Sequence, residues 1–449
     1  MLVYWCIGIL VYRYIGKLVN RYTSLPVYQF TSLPIYQPKE ENMYIFKAGV
    51  VGAGTMGGEI AQVITYSGLP VVMKDIDQEM LDLGMEKIRS IYQRRVDKGK
   101  MSASEMQSKL DLVTPTLTYD EFEDVDIVIE AVPEKMAIKQ AVLKELEEAC
   151  PEQTIFASNT SALSISEMGA ATDKPHKMIG MHFFNPAHVM KLVEVIPGLD
   201  TGQETIDDVV MFTESLRKIP VVVKECPGFL VNRLLMPYLN EATKALEEGA
   251  ATAAEIDQAV TAWGMPMGPF TLMDMLGIDV CGHVGEYLYE EYGERMAPAK
   301  LFFKLLEAGR LGEKSGAGFY DHPGGESAQV NEMIEALQSA GEVPTGTLFS
   351  VERLMFPLIN EAALCIQENI ASLTDIDMSM VAGTGMTYEG ERVGPLLIAD
   401  KIGLDVVLET LQELQEALGP RFRPARPIKL RVRAGHLGEK TGRGFHEHT

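Results

Sequence analysis

Residues 178 to 198, MIGMHFFNPAHVMKLVEVIPG, hold one glutamate and two histidines in otherwise apolar surroundings. A lone carboxylate in an apolar strand costs several kcal/mol unless a partner meets it. Glu194, between Val193 and Val195, therefore needs a partner, and His182 in the neighbouring run MIGMHFF is the candidate. Asn185-Pro186 breaks the chain between the two runs, so they can turn back on one another. A carboxylate beside an imidazole fixes its tautomer and stabilises the imidazolium that follows proton abstraction. That is the chemistry needed when a hydroxyl proton leaves as a hydride passes to a nicotinamide. His182 would be the general base in oxidation and the general acid in reduction. His188, beside the turn, has no carboxylate placed to serve it and reads as filler.

A nucleotide must then lie close by, and GVVGAGTMGGEIAQ offers Gly52-x-Gly54-x-x-Gly57 between an apolar strand and a helix. The first glycine allows the tight turn, the second lets backbone approach a pyrophosphate, and the third lets helix and strand pack closely. The next strand, VVMKD, ends in Asp75, whose carboxylate suits the adenosine ribose hydroxyls and repels a 2'-phosphate. NAD is expected rather than NADP.

Stepping outward from these residues, short apolar runs alternate with helical stretches from Tyr44 to about Asn232. Such alternation predicts an α/β Rossmann-type, doubly wound, parallel sheet domain. Pro227-Gly228 punctuates its end, and the pattern beyond is helical. The helical part repeats. VNRLLMPYLNEA at 231 returns as VERLMFPLINEA at 351, offset by 120. MGPFTLMDMLGID at 267 returns as VGPLLIADKIGLD at 393, and LGEKSGAGFY at 311 as LGEKTGRGFH at 437, both offset by 126. The difference is an insertion around Gly383 to Arg392. The reading is an N-terminal appendage (1-42), a Rossmann domain (43-228), a first all-α repeat (229-322), a linker (323-348) and a second all-α repeat (349-449).

Composition sets outer limits. A net charge of -23 disfavours nucleic acid and anionic membrane surfaces. Five cysteines without a CxxC pair indicate neither a disulfide framework nor a metal site, which fits a reducing cytoplasm. The first residues, MLVYWCIGIL, form an apolar run shorter than the ~20 residues that span a bilayer and lack a basic leader, so no stable membrane anchor is expected. The near-tandem TSLPVYQF and TSLPIYQP follows, and Met43 is expected to begin the working fold.

GAGTMG, IFASNTSALSI, GMHFFNPAHVMKLVEVI, CPGFLVNRLLMPYLNEA, MPMGPFTLMDMLGID and GEKSGAGFY, in this order, resemble motifs of the L-3-hydroxyacyl-CoA dehydrogenase family, short-chain 3-hydroxybutyryl-CoA dehydrogenases included. The duplicated helical part resembles the dehydrogenase portion of multifunctional fatty-acid oxidation subunits. The resemblance implies an NAD-dependent enzyme acting on 3-hydroxyacyl-CoA and 3-oxoacyl-CoA. It implies that Ser161 and Asn232 hold the substrate oxygen near His182 and that Glu194 orients His182. It further implies that Thr55 and Met56 of the glycine turn, Glu134, Lys139, Ser161, Asn185 and Lys314 contact NAD. Small polar donors such as Ser161 and Asn232 are suited to developing negative charge on oxygen. Coenzyme A carries phosphates, and KIRSIYQRRVDKGK (87 to 100) has six basic residues against Asp97 alone, with Lys98 the expected phosphate contact. Glu352 replaces Asn232 in the second repeat, which is expected to have kept packing and lost catalysis. The helical domain pairs between subunits in stand-alone relatives, so the second copy is expected to supply that partner as an internal pseudo-dimer, leaving room for a homo-oligomer. The rivals are a same-fold dehydrogenase of another hydroxy acid and a non-catalytic, crystallin-like NAD-binding protein.

Overall fold

A computed structural model describes residues 44–448. The proposed appendage lies outside them. An eight-stranded sheet is built from β1 (Ala48–Val51), β2 (Val71–Lys74), β3 (Val113–Thr116), β4 (Ile127–Glu130), β5 (Ile155–Ser158), β6 (Met178–Phe183), β7 (Leu192–Pro197) and β8 (Ile219–Val222), in spatial order β3-β2-β1-β4-β5-β6-β7-β8. Strands β1, β2 and β4 are buried at every position, as expected of strands covered on both faces. Helices α1 (Thr55–Ser67), α2 (Gln78–Asp97), α3 (Ala103–Leu110), α4 (Met136–Ala149), α5 (Ile165–Gly169) and α6 (Gln203–Ser215) connect the strands.

The doubly wound order holds, but the strands are not parallel throughout. The sheet is parallel only through β6; β7 runs antiparallel to β6, and β8 then runs parallel to β7. The segment between Phe183 and Leu192 is too short for the crossover of a dozen or more residues that a parallel pair requires, so the chain must double back. The reversal sets His182 directly opposite Glu194 in the ladder.

The helical part comprises α7 (Val231–Glu247), α8 (Ala253–Trp263), α9 (Pro269–Leu276), α10 (Ile278–Tyr292) and α11 (Lys300–Glu307), then α12 (Ala328–Ser339). The set recurs as α13 (Val351–Gln367), α14 (Leu373–Thr384), α15 (Pro395–Ile402), α16 (Leu404–Leu418) and α17 (Arg426–Arg433). The span read as a linker therefore contains a helix, α12, which buries Val330, Ile334 and Leu337 and packs on α7 and α11. Its apolar spacing of four and three residues is the helical signal in that stretch.

Helices α7 and α13 make the most extensive contact between any two elements. Ion pairs anchored on two fully buried arginines cross it reciprocally. Arg233 reaches Glu361 (2.8 Å) and Glu368 (2.8 Å), while Arg353, its counterpart 120 residues on, reaches Glu241 (2.8 Å) and Glu248 (2.8 Å). Arg295 adds to Glu361, and its counterpart Arg421 adds to Glu241.

The motifs shared by both repeats have a packing role. Asp274 accepts from Phe319 N (2.8 Å) and Tyr320 N (3.0 Å), and Asp400 accepts from Phe445 N (2.7 Å) and His446 N (2.7 Å), so each GEK loop is bolted to its repeat by a buried carboxylate. The insertion in the second repeat bridges to the first. Thr387 donates to Gly264 O through its backbone N (3.0 Å) and hydroxyl (2.8 Å), and the Tyr388 and Trp263 rings lie 5.2 Å apart.

Candidate active site

The glycine turn forms where β1 meets α1. Gly52 has φ +99°, and a Cβ on Gly57 would sit 1.6 Å from Gly52 O, so neither position admits a side chain. A Cβ on Gly54 would meet only Met80 Cε, at 3.9 Å, so the backbone there borders open space. The first turn of α1 carries no acidic residue, and Gly54 offers no side-chain cap, so its N–H groups remain for an anion. Thr55 is exposed and Met56 half-buried at this helix start. Asp75 Oδ2 accepts from Ala53 N (2.5 Å) and Oδ1 from Ile76 N (2.6 Å), which holds the carboxylate at the mouth of the turn. These features fit an NAD pyrophosphate and ribose.

His182 Nδ1 lies 2.7 Å from Glu194 Oε2, and both residues are buried. Glu194 Oε1 accepts from Leu230 N (3.1 Å) and Val231 N (2.9 Å) at the start of α7. Three fixed partners compensate the burial of this carboxylate. They also lock β7 to the first helical repeat. With Nδ1 committed, Nε2 is the ring nitrogen left for proton transfer. The Phe184 and Phe229 rings flank the imidazole, with centroids 4.5 and 5.8 Å away.

A cleft of about 440 Å³ opens between the sheet domain and α10, bordered by Met56, Glu134, Lys139, Asn159 and Ser161 on one side and Asp279, Val280 and His283 on the other. The strand bearing His182 is tied to this wall by Phe183 N donating to Asn159 Oδ1 (2.9 Å). Asn232 Nδ2 reaches Ser161 O at 3.5 Å. Glu134 Oε1 accepts from Ser161 N (2.8 Å) and the Thr160 hydroxyl (2.6 Å), and so fixes the SNTS loop. Lys139 is sealed in a pair with Glu130 (2.9 Å) and sits 3.2 Å from Glu134.

The structure also places Lys314, Lys98, His188 and Asn185. Lys314 pairs with Asp279 of the cleft wall (2.5 Å), and Lys440 pairs identically with Asp405 (2.5 Å) in the second repeat. Lys98 caps the far end of α2. The neighbouring Tyr92 and Arg95 contact Thr65 and Tyr66 at the last turn of α1, so Lys98 lies at the end of α2 away from the glycine turn. His188 does have a carboxylate partner: Glu59 Oε2 is 3.3 Å from its Nδ1. Asn185 is exposed at the turn.

Glu59 is the residue that sequence reading missed. It is buried on α1, two residues past the glycine turn, and its carboxylate accepts from Ala187 N (2.5 Å) and pairs with Lys87 (3.0 Å) as well as contacting His188. Lys218 holds the same turn from the other side, donating to Ala187 O and to Met190 O (2.7 Å); burial pushes its ammonium down to about 8. The signal was present in GGEIAQVI, an acid inside an apolar helix face. A Glu59→Leu variant leaves a buried N–H and an ammonium unpaired and should cost about 2–3 kcal/mol. Thermal melts should show that loss, whereas an unchanged midpoint would remove Glu59 as the clamp.

A Rossmann-type sheet with a glycine turn, an acid after the second strand and a buried His–carboxylate pair defines an NAD-dependent oxidoreductase. The chain belongs to the 3-hydroxyacyl-CoA dehydrogenase family: residues 47–226 match its NAD-binding domain, and residues 228–322 and 349–448 each match its C-terminal domain. A fatty acid oxidation complex subunit alpha from Psychrobacter arcticus is 40% identical over 402 residues, covering 87% of this chain and 55% of that subunit. The chain thus spans about half the length of the curated relatives it matches. The 3-hydroxybutyryl-CoA dehydrogenase of Escherichia coli superposes with TM-score 0.79 at 29% identity, covering 87% of this chain and 99% of that one. The (S)-3-hydroxybutyryl-CoA dehydrogenase of Ralstonia eutropha gives 0.61 at 41% identity, covering 62% and 99%.

Among the described residues, no helix is long and apolar enough to cross a membrane, and no group of three or more His, Cys, Asp or Glu is placed to hold a metal ion.

Proposed function

We propose that this protein interconverts L-3-hydroxyacyl-CoA and 3-oxoacyl-CoA with NAD, in β-oxidation or butyrate metabolism, as a cytoplasmic enzyme. The observation that carries the reading is the buried His182–Glu194 pair on the sheet that also carries the nucleotide turn. NAD, when bound, supplies the hydride acceptor. His182 takes the hydroxyl proton at Nε2 during oxidation and returns it during reduction, and Glu194 stabilises the imidazolium. Ser161 and Asn232 hold the substrate oxygen. Glu134 acts on the site by fixing the Ser161 loop, with Lys139 bracing Glu134 from behind. The test is oxidation of NADH with acetoacetyl-CoA. Turnover is expected; tight NADH binding without turnover would leave a crystallin-like role instead.

The second repeat acts as an internal partner for the first, forming a pseudo-dimer within one chain. This accounts for the reciprocal arginine–glutamate pairs. A chain ending at Pro323 should self-associate or lose activity, as size exclusion and the same assay would reveal. A monomeric, fully active fragment would overturn the idea.

A further inference from the structure

A second cavity, of about 300 Å³, lies where the two repeats meet, bordered by Trp263, Glu352, Phe356, Tyr388, Val406 and Thr410 among others. Its position is not arbitrary. Val280 and Val284 of α10 border the cleft over the sheet domain, and Asn232 stands beside Ser161. Their counterparts in the second repeat are Val406, Thr410 and Glu352, the very residues bordering the second cavity. The duplicated face has therefore kept a cavity, but Trp263 and the inserted loop carrying Tyr388 now border it in place of a sheet domain.

The lining of that cavity carries one acid and no basic residue, because Asn232 has become Glu352. Glu352 forms no ion pair among the described residues. The nearby ammonium, Lys401, is already held by Glu391 (3.0 Å) and Glu439 (3.3 Å). Burial, followed by the charges of Glu389 and Glu352 and opposed by Lys401, pushes the Tyr388 hydroxyl above its ordinary value. Three aromatic side chains, Trp263, Tyr388 and Phe356, complete the lining. Aromatic faces with a carboxylate attract a cation that carries apolar surface, and repel the anionic phosphates of coenzyme A.

We propose that the second-repeat cavity binds a small organic cation, of the quaternary or alkyl ammonium class. Choline is the probe, and 3,3-dimethylbutan-1-ol, its neutral isostere, is the control. Calorimetric titration of the full chain should give choline an affinity roughly tenfold above that of the isostere, the size expected of a partly desolvated cation–π and carboxylate contact. Glu352→Gln should lower choline affinity roughly tenfold. Trp263→Leu should lower it too, and neither change should alter NADH oxidation, since both residues lie away from His182. Equal affinity for the two probes would make the cavity merely apolar and overturn the proposal. So would absence of choline binding, or binding that survives Glu352→Gln unchanged. Because the readout is binding, failure here leaves the dehydrogenase reading intact.

Discussion

A His182→Gln protein should turn over acetoacetyl-CoA on the order of 10²–10⁴-fold more slowly than the native chain while binding NADH almost as tightly. Glutamine preserves approximate size and a polar terminus but cannot carry a proton between substrate and solvent. The nucleotide turn is built from Gly52, Gly54, Gly57 and Asp75, none of which contacts His182, so cofactor affinity has no reason to fall. Fluorescence titration of NADH alongside steady-state kinetics separates the two quantities. Equal turnover in the variant would remove His182 from the chemistry. A parallel loss of NADH affinity would show instead that the strand had moved.

Arg233→Ala and Arg353→Ala should each destabilise the fold by about 3–5 kcal/mol, among the largest effects of any single change outside the site. Each removal strands carboxylates in a dry interface: Glu361, left with Arg295, or Glu241, left with Arg421. The two losses should be similar, because the carboxylate partners of the two arginines correspond. At ~2–4 °C per kcal/mol for a chain region of this size, the midpoint should fall by about 10 °C. Differential scanning calorimetry of both variants is the measurement. A loss from only one of them would mean that the interface is balanced differently on its two sides.

The chemistry was legible because it depended on misplaced polarity. Glu194 stood out against its apolar neighbours, and its need for a partner pointed to His182, which the ladder places opposite it. The glycine turn was legible for a related reason, since its residue types are dictated by backbone geometry rather than by packing. The repeats were legible by identity alone. Less could be read where the outcome depended on long-range docking. The doubling back before β7 was signalled by the Asn185-Pro186 break, although alternation of runs by itself reads as a parallel sheet. Glu59 and His188 meet across 129 residues of sequence, so neither stretch contains the contact. The helix in the presumed linker rests on three apolar residues, Val330, Ile334 and Leu337, too few to stand out in a polar stretch.

The reciprocal arginine–glutamate pairs have a further consequence, because they join segments of one polypeptide. Two separate subunits would hold such an interface only above a threshold concentration, and every substitution would strike both faces at once. Here association is unimolecular and survives any dilution. Each face also mutates alone, so one copy can stay bound to its working site while the other, relieved of that duty, drifts toward a ligand of opposite charge.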